Sequence, residues 1–151
     1  MKLFIPRPVL LTVALLLVAI APAGAQEAHW LTDYNKAAEQ AKTENRNILL
    51  AFTGSDWCPP CMLMEKEVLG TKEFKAYADK NLVLMQVDFP QGKHLPQKVQ
   101  DQNADLQTKY DAEALPTFIL VDKEGKVIGQ QVGYLEGGPS AFIAKLDSMK
   151  K

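Results

Sequence analysis

Apolar and polar positions change period along the chain, and each change marks an element. Tyr34, Ala37, Ala38 and Ala41 recur at helical spacing, and Thr32 or Asp33 can cap a helix running to about Asn45. Asn47 to Thr53 (N-I-L-L-A-F-T) is instead a continuous apolar run of strand length, the pattern of a strand buried on both faces. Leu82 to Asp88 (L-V-L-M-Q-V-D) repeats that pattern. Between these strands, Met62 to Leu69 reads as helix with Gly70 as its stop. Thr71 caps a further short helix to about Lys80, with Phe74, Tyr77 and Ala78 inward.

The remainder follows the same logic. His29 to Thr32 reads as a short edge strand. Residues 89–96, with Pro90, Gly92 and Pro96, form a loop, and the next helix is legible only around Asn103 to Tyr110. The irregular stretch 89–104 is thus expected to be long. Thr117 to Asp122 and Lys126 to Val132 are strands joined by Lys123-Glu124-Gly125, a connection short enough to force an antiparallel hairpin. After Gly137-Gly138-Pro139 a helix runs to about Met149, with Ala141, Phe142, Ile143 and Leu146 as its inner face. The predicted order is β-α-β-α-α-β-α-β-β-α. That is an α/β fold, with a central mixed β-sheet flanked by helices on both faces.

The N-terminus stands apart. Lys2 and Arg7 precede an apolar run, Val9 to Ile20, broken only by Thr12, and then the small residues Ala23 and Ala25. Residues 1–25 read as a signal peptide cleaved after Ala25, leaving residues 26–151 as one domain. The alternative, a retained anchor, is disfavoured because the run falls short of the ~20 residues a bilayer span needs. The protein is therefore expected to be exported, periplasmic or extracellular. The whole chain has 151 residues, 47% of them hydrophobic, and a net charge of −1. This is ordinary globular composition for one domain, and the charge gives no reason to expect nucleic acid as a partner.

Chemistry concentrates at Trp57-Cys58-Pro59-Pro60-Cys61. Export implies an oxidising compartment, yet the only two cysteines are three positions apart. A bridge closing so small a loop constrains the unfolded chain little, so a structural staple explains the pair poorly. A helix start explains it better. There Cys58 would meet free amides and the positive end of the dipole, which favour thiolate. Cys61, one turn later, would lie within bridging distance. Pro59 and Pro60 are tolerated in a first turn and destructive in a helix interior, so they place the start here. Cys58 then serves as nucleophile and Cys61 as resolving thiol, with Trp57 shielding the pair or packing into the core. Asp56 would disfavour the thiolate if close, or would simply form the turn. Rival readings are a zinc site, for which His29 and His94 follow no ligand spacing, an inert buried pair, a Cu(I) site using Met62 and Met64, and a redox-silent module that binds a partner.

These residues, together with Leu115-Pro116-Thr117-Phe118 further along, make the chain similar to the thioredoxin family. The resemblance covers roughly residues 30–149. It implies a thioredoxin-like fold and thiol–disulfide exchange. It also implies a cis proline at Pro116, with Leu115 offering backbone to an extended substrate strand. The alternative is an ordinary trans proline opening an edge strand. Implied partners are protein thiols and disulfides and a redox partner, such as a membrane electron-transfer protein, acting on a monomer. No cofactor or metal is expected beyond the redox-active Cys58–Cys61 disulfide itself. A reductant is favoured over an oxidant, since the Pro-Pro pair offers no His to stabilise the thiolate. Two departures from the family stand out. The family's buried acid is replaced at the matching positions by Phe52 and Ala51, leaving Glu65 as a weak substitute for handling the Cys61 proton. The family's helix-kinking proline is replaced by Lys66.

Overall fold

A computed structural model describes Met1 and residues 29–151. The signal peptide read from residues 1–25 therefore falls outside the described residues, Met1 aside. No helix of the described residues is long and apolar enough to cross a membrane.

The described chain runs β1 (Trp30–Leu31), α1 (Tyr34–Glu44), β2 (Asn47–Thr53), α2 (Pro59–Met64), a π-helical turn (Glu65–Leu69) and α3 (Lys72–Asn81). It continues through β3 (Leu82–Asp88), α4 (Gln97–Tyr110), β4 (Thr117–Val121), β5 (Val127–Val132) and α5 (Gly138–Met149). The strands form one sheet in the order β1-β3-β2-β4-β5. β1 and β2 pair parallel with β3, while β2–β4 and β4–β5 are antiparallel. Apart from the features below, this is the predicted order, with most boundaries within a residue or two.

β2 and β3 lie inside the sheet and are covered on both faces, which is why their apolar runs are unbroken. Alternate residues serve opposite cores. Ile48, Leu50 and Phe52 join Val83, Met85 and Val87 under α1 and α4. Leu49, Ala51, Leu82 and Leu84 face the other way, with Met64, Phe74 and Phe142 from the helices. Phe142 packs edge-on to Phe118 at 5.0 Å between ring centroids, and Phe74 lies 5.8 Å from Phe142. Each such fully buried side chain contributes roughly 1.5–3 kcal/mol of transfer free energy. β2, gripped from both faces, is the rigid base from which the Trp57–Cys61 segment projects.

Caps explain the helix boundaries. The Asp33 carboxylate accepts from the amides of Asn35 and Lys36, and the Thr71 hydroxyl accepts from Phe74 N–H. Two features differ from expectation. α4 begins at Gln97, so the irregular segment is residues 89–96 and not 89–104. Its first turns carry almost no apolar stripe to read. They are held by polar ties instead: Gln102 accepts from Tyr34 N–H at 2.8 Å and donates to the Thr32 carbonyl at 2.9 Å. The helix expected through Leu69 also changes hydrogen-bond period at Glu65, where the π-helical turn begins.

Candidate active site

β2 ends at Thr53, and the chain turns at once. Gly54 carbonyl accepts from Trp57 N–H and Cys58 N–H, at 3.3 and 3.0 Å. This turn delivers Cys58 in extended conformation (φ −93°, ψ 105°) as the N-cap of α2, with Pro59 and Pro60 in its first turn. Cys58 and Cys61 are joined in a disulfide with Cα atoms 5.3 Å apart, and each is 4% exposed. The predicted helix start and bridging distance are both present.

The prolines shape the electrostatics as well as the backbone. A helix start normally offers four free amide N–H groups. Pro59 and Pro60 have none, and Met62 N–H is taken by the Cys58 carbonyl at 3.1 Å. Of the first turn's amides only that of Cys61 is left for a Cys58 thiolate. The helix dipole still favours ionisation, but direct hydrogen-bond support is thin.

On the other side of the pair, Gly54 N–H points at Cys61 Sγ, 3.5 Å away. Gly54 is buried beneath Trp57, and a Cβ there would lie 2.6 Å from the indole ring. Trp57 is 42% exposed, so the ring is a surface element and not core filler. Its Nε1–H donates to the Phe89 carbonyl at 2.7 Å.

Segment 89–96 is tied closely to the active-site turn. Phe89 N–H donates to Thr53 O at 2.9 Å. The Asp56 carboxylate accepts from Gln91 N–H at 2.9 Å and Gly92 N–H at 2.6 Å. The Gln91 amide, opposed by desolvation but joined by the Gly92 amide and Lys93, holds the Asp56 carboxyl below its ordinary range. Asp56 is thus a latch, its charge spent on loop amides. Behind it, the buried Asp88 accepts from Ser55 N–H and Ser55 Oγ–H, at 3.0 and 2.7 Å, and pairs with Lys93 at 3.1 Å. His94 is exposed on this segment, and His29 is exposed at the start of the domain.

The Leu115–Pro116 peptide is cis, as the resemblance implies. Pro116 is buried, Leu115 half-buried, and the Pro116 carbonyl accepts from Gly133 N–H at 2.8 Å. Pro116 and Cys61 line one cavity of about 300 Å³, which Ala51, Thr53, Gln86 and Glu65 also border. Of the two positions matching the family's buried acid, Ala51 faces this cavity, while Phe52 points into the opposite core. The two methionines part company: Met64 is fully buried and Met62 is 44% exposed. Met62 borders the cavity that Cys61 lines.

Where the resemblance implies a proline kink, the π-helical turn stands instead. Gly70 N–H reaches back to the Glu65 carbonyl at 2.7 Å, and a Cβ on Gly70 would lie 2.8 Å from that oxygen. A π turn interrupts the regular ladder and is a known cause of helix irregularity, so Lys66 needs no proline to break the period. Gly70 was legible as a helix stop, but its close approach to the Glu65 carbonyl was not; Gly54 carried only the signal for a turn after a buried strand, and Gln86 only that of a strand residue.

A dithiol at a helix start, with a buried second sulfur and a flat aromatic beside it, can form a mixed disulfide and then resolve it. Comparison with known proteins agrees. A family model described as a thioredoxin-like domain matches residues 34–150. The disulfide bond reductase DsbH of Chlamydia pneumoniae is 35% identical over 130 residues, covering 86% of this chain and 77% of that protein. The thioredoxin-related protein DsbJ of the same organism is 33% identical over 128 residues, covering 80% of this chain but 36% of its own length. A solved DsbH oxidoreductase superposes with a TM-score of 0.78 at 34% identity, covering 88% of this chain and 91% of that one.

Proposed function

The chain belongs to the thioredoxin-like family and is a thiol–disulfide oxidoreductase, and from that premise we propose that it is an exported reductant of protein disulfides. Cys58 is the nucleophile and Cys61 the resolving thiol. Residues 1–25 direct export, and residues 26–151 form the working domain, acting as a monomer. The only redox group used is the Cys58–Cys61 pair.

The observation that carries the direction is the helix start. An oxidant of this type is strong because its reduced form is stabilised. Here Pro59 and Pro60 remove two of the amides that would support a Cys58 thiolate, and no histidine stands between the cysteines. The reduced form is therefore poorly stabilised, and the pair tends to give its electrons away. The similar DsbH is named a disulfide bond reductase, which agrees with this direction.

The cycle balances as follows. The Cys58 thiolate attacks one sulfur of a substrate disulfide, forming a mixed disulfide and expelling the other substrate sulfur as thiolate. Cys61 loses its proton and attacks Cys58 Sγ, which closes the internal disulfide and releases the second substrate thiolate. The substrate gains two electrons and the Cys58–Cys61 pair loses two. A dithiol partner, here assigned to a membrane electron-transfer protein, returns them by the reverse exchange. Trp57 and the Leu115–Pro116 backbone border the pair and would meet the substrate.

Cys61→Ala tests the roles. The variant should accumulate a mixed disulfide through Cys58, seen as a reducible covalent adduct by mass spectrometry. No adduct on Cys61→Ala, with an adduct forming through Cys61 in Cys58→Ala, would contradict the assignment.

A further inference from the structure

Gly54 brackets the redox pair with its two backbone groups. Its N–H points at Cys61 Sγ, 3.5 Å away, and its carbonyl accepts from Cys58 N–H at 3.0 Å. Glycine leaves its own backbone freer than any other residue, so Gly54 cannot hold this geometry unaided. Both of its peptides are held from the end of β3 instead. Phe89 N–H donates to the Thr53 carbonyl at 2.9 Å, which fixes the Thr53–Gly54 peptide. The Asp88 carboxylate accepts from Ser55 N–H at 3.0 Å, which fixes the Gly54–Ser55 peptide.

Asp88 is itself firmly placed. It stands in register with Thr53, where β2 and β3 end side by side, and its carbonyl accepts from the buried Asn103 Nδ2–H at 2.9 Å. Its buried carboxylate accepts again from Ser55 Oγ–H at 2.7 Å and pairs with Lys93 at 3.1 Å. The Phe89 tie is backbone pairing that any residue with an N–H at 89 would supply. The Ser55 tie depends on the side chain at 88. Asp56 and Trp57 bind the far end of the same turn to Phe89, Gln91 and Gly92, so Asp88 holds the near end, where the chain leaves β2.

We propose that Asp88 is a positioning residue for resolution of the mixed disulfide, acting through the Gly54–Ser55 peptide to keep Cys58 within reach of Cys61. While a substrate is attached, the internal bridge is open and no bond joins the two sulfurs. The turn must then hold Cys58 where the Cys61 thiolate, its proton already lost to water, attacks Cys58 Sγ in line with the Cys58–substrate bond. The Cys58–Cys61 bond forms, the Cys58–substrate bond breaks, and the substrate sulfur leaves with the electron pair. A loosened Gly54–Ser55 peptide frees the carbonyl that holds Cys58 N–H, and Cys58 drifts from this alignment. The first attack of Cys58 on a substrate needs no alignment with Cys61. This inference rests on Cys61 being the resolving thiol.

A mixed disulfide is preformed on Cys58 with a chromophoric thiol, and release of that thiol is timed at one pH in wild type, Asp88→Ala and Asp88→Asn. Asp88→Ala should release it about three- to tenfold more slowly, because the other ties of the turn remain. Asp88→Asn keeps an acceptor for Ser55 N–H and loses only the charge, so it should restore most of the rate. Hydrogen exchange of the Cys58 amide, bonded to the Gly54 carbonyl, should quicken in Asp88→Ala and not in Asp88→Asn. Attack of Cys58 on a fresh disulfide should change by less than about twofold. Circular dichroism checks folding, and Asp88→Ser, too short to reach Ser55, replaces Asp88→Ala if that variant does not fold. Release at the wild-type rate without the Asp88 carboxylate would overturn the positioning role. So would an Asp88→Asn protein as slow as Asp88→Ala, since charge would then be the cause, or an equal slowing of the Cys58 attack, which marks general damage. In each of these cases the assignment of Cys61 stands. If release is equally slow in Cys61→Ala and wild type, Cys61 does not resolve at all, and both claims fall.

Discussion

The indole N–H of Trp57 is bonded to the carbonyl oxygen of Phe89 at 2.7 Å, across 32 residues of sequence. This one bond fixes the aromatic wall of the redox pair to the segment that follows β3. Gly54 makes it possible, since the ring lies where any side chain at 54 would be. Gly54→Ala should therefore expel the ring and break the bond to Phe89. Overpacking of this kind costs about 1–3 kcal/mol, measurable as a lower denaturant midpoint. Trp57→Phe should cost only about 1 kcal/mol through the lost hydrogen bond. A Gly54→Ala protein as stable as wild type would contradict the packing.

The Asp56 latch gives a pH dependence whose sign is set. Its carboxyl is held below the ordinary value of 3.8 by the Gln91 and Gly92 amides. A depressed acid contributes stability that is complete above its unfolded value and is lost as pH falls through its lower folded value. The Gln91 and Gly92 amide resonances should thus hold their native shifts down to about pH 4 and move only below it. In Asp56→Asn they should be displaced throughout. An inflection above 3.8 would contradict the latch.

Gly70 closes the π-helical turn against the Glu65 carbonyl, with no room for a Cβ. Unlike a side chain, that backbone oxygen cannot move aside cheaply. Gly70→Ala should destabilise the domain by about 1–3 kcal/mol. Thermal melting measures the effect. An unchanged melting temperature would show that the turn adapts.

An element was legible in the sequence where the contact that shapes it is local. β2 and β3 were legible because burial on both faces leaves an unbroken apolar run, and α1 because Ala37 and Ala41 keep the helical period. The start of α2 was legible because Pro59 and Pro60 tolerate little else. The first turns of α4 were not, since Gln102 holds them by bonds to Thr32 and Tyr34 that no periodicity encodes. The same is true of Asp56, whose partners lie 35 and 36 residues away. The absence of a proline at Lys66 could be seen in the sequence, but not the π-helical turn that stands in its place. Ala51 was recognisable as a missing acid, whereas the cavity it faces exists only once Gln86 and Pro116 are brought beside it.

The reductant role proposed for the Cys58–Cys61 pair is tested by its equilibrium reduction potential. Wild-type protein would be equilibrated against graded thiol–disulfide buffers and the fraction of disulfide read by alkylation. The thin amide support for Cys58 predicts a value near or below about −230 mV. Replacing Pro59 and Pro60 with alanine restores two N–H donors and should shift the potential upward. A wild-type value above about −180 mV would place the protein with oxidants or isomerases and contradict the direction assigned to it.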